Sequence, residues 1–343
     1  MTLTEVATFE HQVTGVTVSE DGRIFVNFPR WAEDAPVSVA ELRDDGTLVA
    51  YPDERWNEWR NARKQELSAD DRWVCVQSVV ADGRGSLWVL DPAAPATSHL
   101  VPGGAKLVQI DLATNAVRRT IAFGEDVAPE GSYLNDVRFS PDGRYAYITD
   151  SGAKGALVVV DLERGAGRRV LDGHPYTQPE ADVVVRTDGK PLRRPDGRGA
   201  EFAADGIALS PDGRHLYWQA LTGRTLYRIP TSALHDASLD DERLIAKVER
   251  VGENGVSDGL WIDARGHMYI SALEENAVKV RDLSGTDDGV RTVVTDERLR
   301  WPDTFSEGPD GTIYVTASHI QDMSWYVPEN PPQVRTALFR IQG

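Results

Sequence analysis

Six polar residues recur at one place in a repeated pattern, and three of them are carboxylates. Each stands eight positions before a glycine that ends a run of alternating apolar residues. They are Thr14, Gln77, Asn135, Asp205, Asp258 and Asp303. Oxygen ligands of this kind suit Ca²⁺, with Mg²⁺ or Mn²⁺ as alternatives, better than a soft metal. Neighbouring carboxylates also disfavour each other's charged form. The set therefore predicts a divalent-cation site or an acid–base centre.

The six polar residues belong to a repeated pattern. In each repeat, two runs of alternating apolar residues are joined at a glycine turn. An Asp-Gly or similar turn between alternating runs is a strong hairpin signal, because the turn needs a positive φ that glycine adopts without strain. The turn glycines are Gly22, Gly85, Gly143, Gly213, Gly266 and Gly311. Third alternating runs follow at residues 37–42, 106–111, 156–161, 225–229, 277–281 and 337–341. Six antiparallel units are therefore predicted.

Six units of four antiparallel strands predict a six-bladed β-propeller that forms a single domain over residues 1–343. The last unit is one strand short, so we expect residues 3–8 to close it as the outer strand and remove an exposed edge. Short helical stretches are expected within 53–64 and 234–251. The insertions at 51–74 and 172–204 connect blades, and we expect them at the channel mouth that holds the six polar residues.

Composition excludes several classes of partner and cofactor. The 343 residues carry 37 Lys plus Arg against 54 Asp plus Glu, a net charge of −17, which disfavours nucleic acid and anionic membranes. Cys75 is the single cysteine, so thiolate zinc sites and internal disulfides are excluded. The chain has no phosphate-binding loop or dinucleotide fingerprint, and no organic cofactor is expected. Without a leader-like start, a cytoplasmic location is expected; the oligomeric state stays open.

Several segments resemble the Yellow and major royal jelly protein family. They are GVTVSEDGRIFVNFPRW, YPDERWNEW, YLNDVRF, DGIALSPDGRHLYWQ and WPDTFSEGPDGTIYV, and they appear in the family's order along nearly the whole chain. The resemblance implies a propeller fold, and the Arg-rich, Lys-poor composition indicates a bacterial type of member. For activity it leaves alternatives open, because the family includes dopachrome-converting enzymes, binders of biogenic amines and proteins without known catalysis.

A more distant similarity is to the gluconolactonase, senescence marker protein and regucalcin family. LND at 134–136, ADG at 204–206 and SDG at 257–259 resemble three of its motifs. The similarity implies a divalent cation at the channel mouth, held by Asn135, Asp205 and Asp258, and hydrolysis of sugar lactones. That family's first-blade Glu falls at Thr14 here, and Asp303 is the residue that could supply the missing charge.

The leading functional hypothesis is metal-assisted hydrolysis of a lactone or cyclic ester by a small-molecule enzyme. The cation would polarise the carbonyl group, and Asp258 would take the proton from the attacking water. Asn135, Asp205, Asp258 and Asp303 are the predicted metal ligands.

Two alternatives stay open. A dopachrome-type tautomerase would move a proton on an aminochrome or quinonoid ring, with His174 and His319 as acid and base. A non-catalytic binder would hold a small amine or aromatic metabolite. For any of these ligands, Trp31 and Tyr133 are expected to stack on a flat ring and Arg30 to meet an anionic group. Gln77 and Thr14 complete the predicted substrate contacts.

Overall fold

The computed structural model describes residues 1–95, 97, 99–283 and 289–342. It is an all-β protein in which six four-stranded antiparallel sheets form the blades of a six-bladed β-propeller. This confirms the fold class predicted from the glycine turns and the alternating runs.

The strands follow the predicted order along the chain. After β1 (Thr2–Phe9), blade 1 contains β2 (Gly15–Val18), β3 (Ile24–Asn27), β4 (Val39–Leu42) and β5 (Leu48–Ala50). Blade 2 contains β6 (Ser78–Ala81), β7 (Ser86–Asp91), β8 (Lys106–Asp111) and β9 (Ala116–Ala122). Blade 3 contains β10 (Leu134–Phe139), β11 (Tyr145–Asp150), β12 (Ala156–Asp161) and β13 (Ala166–Val170).

The remaining strands begin with a short pair outside the blades, β14 (Arg186–Thr187) and β15 (Lys190–Pro191). Blade 4 contains β16 (Ala204–Leu209), β17 (His215–Ala220), β18 (Thr225–Pro230) and β19 (Glu249–Glu253). Blade 5 contains β20 (Leu260–Ile262), β21 (His267–Ala272), β22 (Ala277–Asp282) and β23 (Val290–Thr295). Blade 6 contains β24 (Pro302–Glu307), β25 (Ile313–Ala317) and β26 (Thr336–Gln342).

Strand β1 completes blade 6, as the sequence predicts. It pairs antiparallel with β26, from Thr2 opposite Gln342 to Phe9 opposite Thr336, with one register shift between Glu5 and Ala7. Without β1, the N–H and C=O groups along the outer edge of β26 would lack a strand partner. The first and last strands of the chain thus share one sheet.

The six predicted turn glycines all adopt the left-handed conformation that the hairpins require. Their φ values lie between 69° and 84°, at Gly22, Gly85, Gly143, Gly213, Gly266 and Gly311. An L residue with a Cβ is strained there. The glycines therefore set the register of the first two strands in each blade, and with it the place of the residue eight positions earlier.

Helices are short and lie between blade strands. Helix α1 spans Thr231–His235 and α2 spans Asp241–Ile245, where the Asp240 side chain accepts the N–H of Arg243. The helical stretch predicted over 234–251 therefore overlaps only the end of α1, contains α2 and runs into β19. Single 3₁₀ turns occur at Asn61–Arg63, Leu273–Glu275 and Ile320–Asp322. Among the described residues, no helix has the length and apolar character needed to cross a membrane.

The chain divides into two compact units, each with its own apolar core between neighbouring sheets. Unit 1 comprises Met1–Asn135 and Asp303–Gly343, and unit 2 comprises Asp136–Pro302. One core cluster of unit 1 includes Phe25, Trp73 and Leu87. One of unit 2 includes Tyr147 and Trp218. Burial of such side chains is the main stabilising contribution to each unit. The single-domain interpretation stays a prediction.

Candidate functional site

The six repeated polar residues all lie at the start of the first strand of a blade. Asn135, Asp205 and Asp303 lie within β10, β16 and β24, and the other three stand one or two residues before β2, β6 and β20. All six are buried, with at most 7% of their surface exposed. Buried polar groups need hydrogen-bond partners, so the contacts of each residue show what it does. Asp205 and Asp258 belong to unit 2, and the other four belong to unit 1.

Unit 2 contains a buried carboxyl pair. The side chains of Asp258 and Asp205 are hydrogen-bonded to each other. Two carboxyl groups can share a hydrogen bond only if one of them carries a proton. The indole N–H of Trp301 donates to Oδ2 of Asp258 at 2.7 Å. A proton on one of the two carboxyls would therefore join them, and the Trp301 indole is a neutral donor beside the pair.

The surroundings of Asp258 shift its acidity towards neutral pH. Burial raises the pKa of the Asp258 carboxyl to about 7, and the negative charge of Asp136 adds to this, whereas hydrogen bonds from Trp301 and with Asp205 oppose it. Desolvation dominates because a charged carboxylate loses its hydration in the interior. A group with a pKa near 7 has both its acid and its base form populated at neutral pH, as acid–base catalysis requires.

Backbone contacts hold the carboxyl pair in place. The N–H groups of Asp258 and Gly259 both donate to Oγ of Ser271, at 3.1 and 2.8 Å. The hydroxyl of Thr149 donates to the carbonyl oxygen of Asp205 at 2.6 Å. At Gly206 the chain passes so near the Asp258 carbonyl oxygen that a Cβ would stand 2.2 Å from it. The strands that carry the two carboxyls are therefore fixed closely together.

A buried arginine is paired with Asp136, whose charge acts on Asp258. Nη2 of Arg138 stands 3.5 Å from Oδ2 of Asp136 and donates to the Leu260 carbonyl oxygen at 2.9 Å. Burial lowers the pKa of this guanidinium, and Asp136 opposes the shift. Asp136 raises the pKa of Asp258 through its negative charge. The positive charge of the buried Arg138 partly balances this negative charge. Sequence reasoning missed both Arg138 and Trp301; the single hint was that Trp301 stands two residues before a repeated polar position.

Unit 1 contains a chain of hydrogen bonds that joins three of the predicted substrate contacts to Asn135. Nε1 of Trp31 donates to the Tyr133 hydroxyl at 2.6 Å, and this hydroxyl donates to Oε1 of Gln77 at 2.9 Å. Nε2 of Gln77 then donates to Oδ1 of Asn135 at 3.1 Å. The Trp325 ring lies 5.9 Å from the Trp31 ring. These aromatic and amide groups therefore form one ordered cluster.

The other polar positions of unit 1 have partners within their own blades or the adjacent loop. Oδ2 of Asp303 accepts the Ser318 hydroxyl at 2.7 Å, and Oδ1 accepts the Thr304 hydroxyl at 3.2 Å. The Thr14 hydroxyl accepts Nδ2 of Asn27 at 2.9 Å and is fully buried. These contacts tie the start of each first strand to its neighbours.

Arg30 is predicted to meet an anionic group of a ligand; in the structure it contacts carbonyl oxygens, and the substrate role stays a prediction. The side chain is fully buried. Its guanidinium donates to the carbonyl oxygens of Ala35 and Asn57, each at 2.9 Å, and to that of Trp73. Burial and the nearby charge of Arg60 lower its pKa to about 10. Arg30 therefore fastens the 51–74 insertion to blade 1.

The two predicted catalytic histidines make local contacts. Nδ1 of His319 lies 3.2 Å from Oδ2 of Asp322, and the residue has a φ of 51° at the start of a 3₁₀ turn. Nδ1 of His174 accepts the N–H of Tyr176 at 3.3 Å, with the two rings 4.5 Å apart. His319 belongs to unit 1 and His174 to unit 2. Their catalytic role stays a prediction.

The oxygens of the predicted cation ligands take part in hydrogen bonds within the protein. Within residues 1–95, 97, 99–283 and 289–342, no three His, Cys, Asp or Glu side chains group closely enough to hold a metal ion. Oxygens of Asn135, Asp258 and Asp303 accept hydrogen bonds from protein donors, and Asp205 shares one with Asp258. These contacts fit a proton-holding carboxyl pair better than a divalent-cation site, and the predicted ligand set stays a prediction.

A separate cavity of about 490 Å³ lies in the 51–74 insertion of unit 1. Its lining is charged, with Arg55, Arg60, Arg63, Glu54 and Glu58 among its residues. These charges are largely paired with carboxylates or arginines of the same insertion. Three of the charged groups that line the cavity, those of Arg55, Arg63 and Glu58, are thus paired within the insertion, whereas the carboxyl with the raised pKa lies in unit 2.

The six blades define the class of this protein as a six-bladed β-propeller. Solved structures of other proteins resemble its fold. A gluconolactonase from Xanthomonas campestris matches with a TM-score of 0.57 at 13% identity, over 98% of this chain and 88% of that one. Regucalcin from Agrobacterium tumefaciens, described as a calcium-binding protein, gives 0.55 at 17% identity, over 98% and 94%. At these identities the likeness concerns the fold alone.

Sequence comparison identifies the family. The profile described as "Major royal jelly protein" matches residues 74–335, so the chain belongs to the major royal jelly protein family. The protein yellow of Drosophila melanogaster is 25% identical over 270 residues, as is that of Drosophila erecta, with 75% of this chain and 48% of the relative covered. The chain spans about half the length of these curated relatives. Both resemblances noted in the sequence are confirmed.

Proposed function

We propose that this chain is a small-molecule enzyme that hydrolyses a lactone or related cyclic ester, with the Asp205–Asp258 pair as its acid–base group. The observation that carries the proposal is the buried Asp258 carboxyl, whose pKa is raised to about 7 by burial and which is hydrogen-bonded to a second carboxyl. The likeness of the fold to a gluconolactonase supports the substrate class.

The pair supplies the proton transfers that ester hydrolysis needs. In its base form, Asp258 takes a proton from water as the water oxygen bonds to the carbonyl carbon. The ring C–O bond of the tetrahedral intermediate then breaks, and the pair returns the proton to the leaving oxygen. One water is consumed and one hydroxy acid is released. Asp258 keeps this proton between the two steps, and its hydrogen bond with Asp205 orients it.

The proposed hydrolysis by the carboxyl pair does not require a divalent cation, but a bound cation could assist it, and this can be tested. Regucalcin is described as calcium-binding, and a cation bound by Asp205 and Asp258 would polarise the carbonyl group of the substrate. Binding would have to displace the shared proton and the Trp301 hydrogen bond. Chelation therefore separates the two cases: a proton-holding pair keeps its activity in chelator, and a cation-dependent site loses it.

A tautomerase is the second candidate, and the shared proton favours it too. A pair of carboxyls with one proton can remove a proton at one ring position and deliver one at another, without consuming water. The curated relatives are Yellow proteins, and the resemblance to the Yellow family noted in the sequence, which implies dopachrome conversion as one alternative, supports testing this chemistry beside hydrolysis. An aminochrome or quinonoid substrate would be the expected class.

The test is a panel of five- and six-membered lactones, followed by titration of released acid, with an aminochrome substrate in parallel. We expect lactone turnover whose kcat/KM rises with pH through about 7 and falls at least 100-fold in D258N. D142N is the matched control, since Asp142 lies in a blade 3 turn and accepts the Ser140 hydroxyl. If D258N hydrolyses lactones as fast as the unsubstituted chain, the proposed role of the pair is refuted. Ligand binding without product would indicate a binder.

A further inference from the structure

The carboxyl pair of unit 2 is nearly closed to solvent. Only 4% of the surface of Asp205 and 7% of that of Asp258 are exposed, and the fully buried Trp301 donates its indole N–H to Asp258. A base acts only on a group within hydrogen-bond reach, so both the lactone and a water molecule have to approach Asp258. Part of unit 2 must therefore move before a substrate can enter.

Several connections of unit 2 lie at the end of the blades where the first strands start. In an antiparallel blade, the connection from the second to the third strand and the connection to the next blade both return to this end. Leu273–Glu275, between β21 and β22, is of the first kind. Arg300, between β23 and β24, and the 172–204 insertion, between β13 and β16, are of the second kind. Contacts among these connections therefore lie at the same end as the carboxyl pair.

The β14–β15 hairpin is the tip of the 172–204 insertion. Its two short strands are joined by Asp188 and Gly189, whose φ values are 52° and 72°. Positive φ at both central residues is typical of a type I′ turn, for which Asp-Gly is a favoured sequence. The hairpin has a defined shape of its own, so it can move as one body.

Side-chain contacts hold this tip on the other connections. Both Nη atoms of Arg300 donate to the Asp188 carboxylate, at 2.9 and 3.0 Å. Oε1 of Glu274 accepts the backbone N–H of Arg186 at 2.7 Å. The ion pair is in contact with solvent, since 54% of the Asp188 side chain and 27% of the Arg300 side chain are exposed. Exposed ion pairs are weak and are screened by salt, so the contacts of the tip break at low cost.

The base of the insertion is anchored more firmly. The N–H of Glu180 donates to the carbonyl oxygen of Thr222 at 2.8 Å, and the backbones of Phe202 and Thr222 are also hydrogen-bonded, at 3.1 Å. The N–H of Ala204 donates to the carbonyl oxygen of Thr177 at 2.8 Å. Thr177 and Thr222 are buried. A fixed base and a weakly held tip are what a hinged active-site loop requires.

We propose that the β14–β15 hairpin is a lid on the acid–base centre of unit 2, latched by the Asp188–Arg300 ion pair. The proposal rests on the function proposed above, because it assigns the element that admits the lactone. Arg300 is joined directly to Trp301, so release of the latch also frees the segment whose indole contacts Asp258. Opening admits substrate and water, and closing excludes bulk water during proton transfer.

Limited trypsin digestion of the full chain measures the opening of the lid. The Arg186–Thr187 bond forms β14, so trypsin reaches it only when the hairpin leaves its partners. R300Q removes the latch and leaves the hairpin sequence unchanged. We expect it to accelerate cleavage at this bond about 2–5-fold, the factor that an exposed ion pair supplies. R298Q is the matched control, since Arg298 pairs with Asp296 in the same connection.

Salt gives an independent test of the latch. Raising NaCl from about 0.05 to about 0.5 M should accelerate the cleavage in the unsubstituted chain and in R298Q, but not in R300Q, because screening weakens only an ion pair that is present. Trypsin activity is normalised on a small peptide substrate at each salt concentration. The same acceleration by salt in R300Q would contradict the latch.

Carboxyl labelling measures access to Asp258 without any turnover. The full chain is treated with a carbodiimide and glycine ethyl ester, and labelled peptides are quantified by mass spectrometry. We expect Asp258 to be labelled about 2–5-fold faster in R300Q than in the unsubstituted chain, with R298Q unchanged. Should R300Q fail to fold, D188N removes the other half of the latch, and its labelling rate decides.

The results separate this proposal from the proposed function. Equal rates of cleavage in R300Q and R298Q would overturn the lid. Faster cleavage with unchanged labelling of Asp258 would overturn it too, because the hairpin would then move without opening the centre. If cleavage and labelling both behave as expected but no lactone is hydrolysed, the proposed function fails while the lid stands.

Discussion

Replacing Asp258 by asparagine should remove a large pH dependence from the stability of the protein. The folded-state pKa of about 7 lies above the value of 3.8 for a solvated carboxyl. The folded protein therefore holds this proton more tightly than the unfolded chain does. The resulting stabilisation is complete below pH 3.8 and is lost as the pH rises to about 7. At 1.36 kcal/mol per pKa unit, the whole effect is about 4 kcal/mol.

Most of this effect falls in an accessible range of pH. Between pH 5 and pH 8 the free energy of unfolding of the unsubstituted chain should fall by about 3 kcal/mol relative to that of D258N. The amide keeps an oxygen that accepts from Trp301 and an N–H₂ that donates to Asp205, so D258N can preserve the geometry. Urea unfolding at pH 5, 6, 7 and 8 measures the difference.

D142N is the control for this measurement. The hydrogen bond from the Ser140 hydroxyl lowers the pKa of Asp142, so any contribution of this residue is lost only as the pH falls below about 4. D142N should therefore follow the unsubstituted chain between pH 5 and 8. The reasoning is refuted if the difference between the unsubstituted chain and D258N changes by less than about 1 kcal/mol over that range.

Three further changes test other parts of the structure. Y133F removes the hydroxyl between Trp31 and Gln77 and should cost about 1–3 kcal/mol in urea unfolding; an unchanged midpoint would contradict the hydrogen-bond chain. Deleting residues 1–9 removes the strand that pairs with β26 and should lower the thermal midpoint by more than 10 °C, and a shift within 2 °C would exclude its closing role. G206A places a Cβ against backbone and should destabilise by about 1–3 kcal/mol, whereas a neutral result would show that the strands separate readily.

The fold could be predicted from the sequence because its determinants are local. Each Gly turn requires a positive φ at one residue, and the alternating runs on either side specify paired strands. The missing last strand pointed to residues 3–8, which form most of β1. The helices were predicted less well: spacing over 234–251 indicated helix, but the pairing of β19 with β18 governs its last part.

The sequence predicted only those residues of the candidate site that occupy the repeated position in each blade. Repeat spacing identified the buried Asp205 and Asp258, because equivalent positions in each blade start the first strand. It did not identify Trp301, whose contact with Asp258 depends on a left-handed backbone. It also did not indicate the contacts of Arg30, because an arginine in a loop carries no signal of the three carbonyl groups that it donates to.

The pairing of β1 with β26 has a consequence for synthesis on the ribosome. Phe9 leaves the exit tunnel early, whereas its partner Thr336 is translated 327 residues later. At about 5–20 residues per second, the first strand waits roughly 16–65 s for its partner. During that time a nascent chain exposes a β edge to other chains in the cell. The edge of β1 therefore has no strand partner within the chain until β26 has been synthesised.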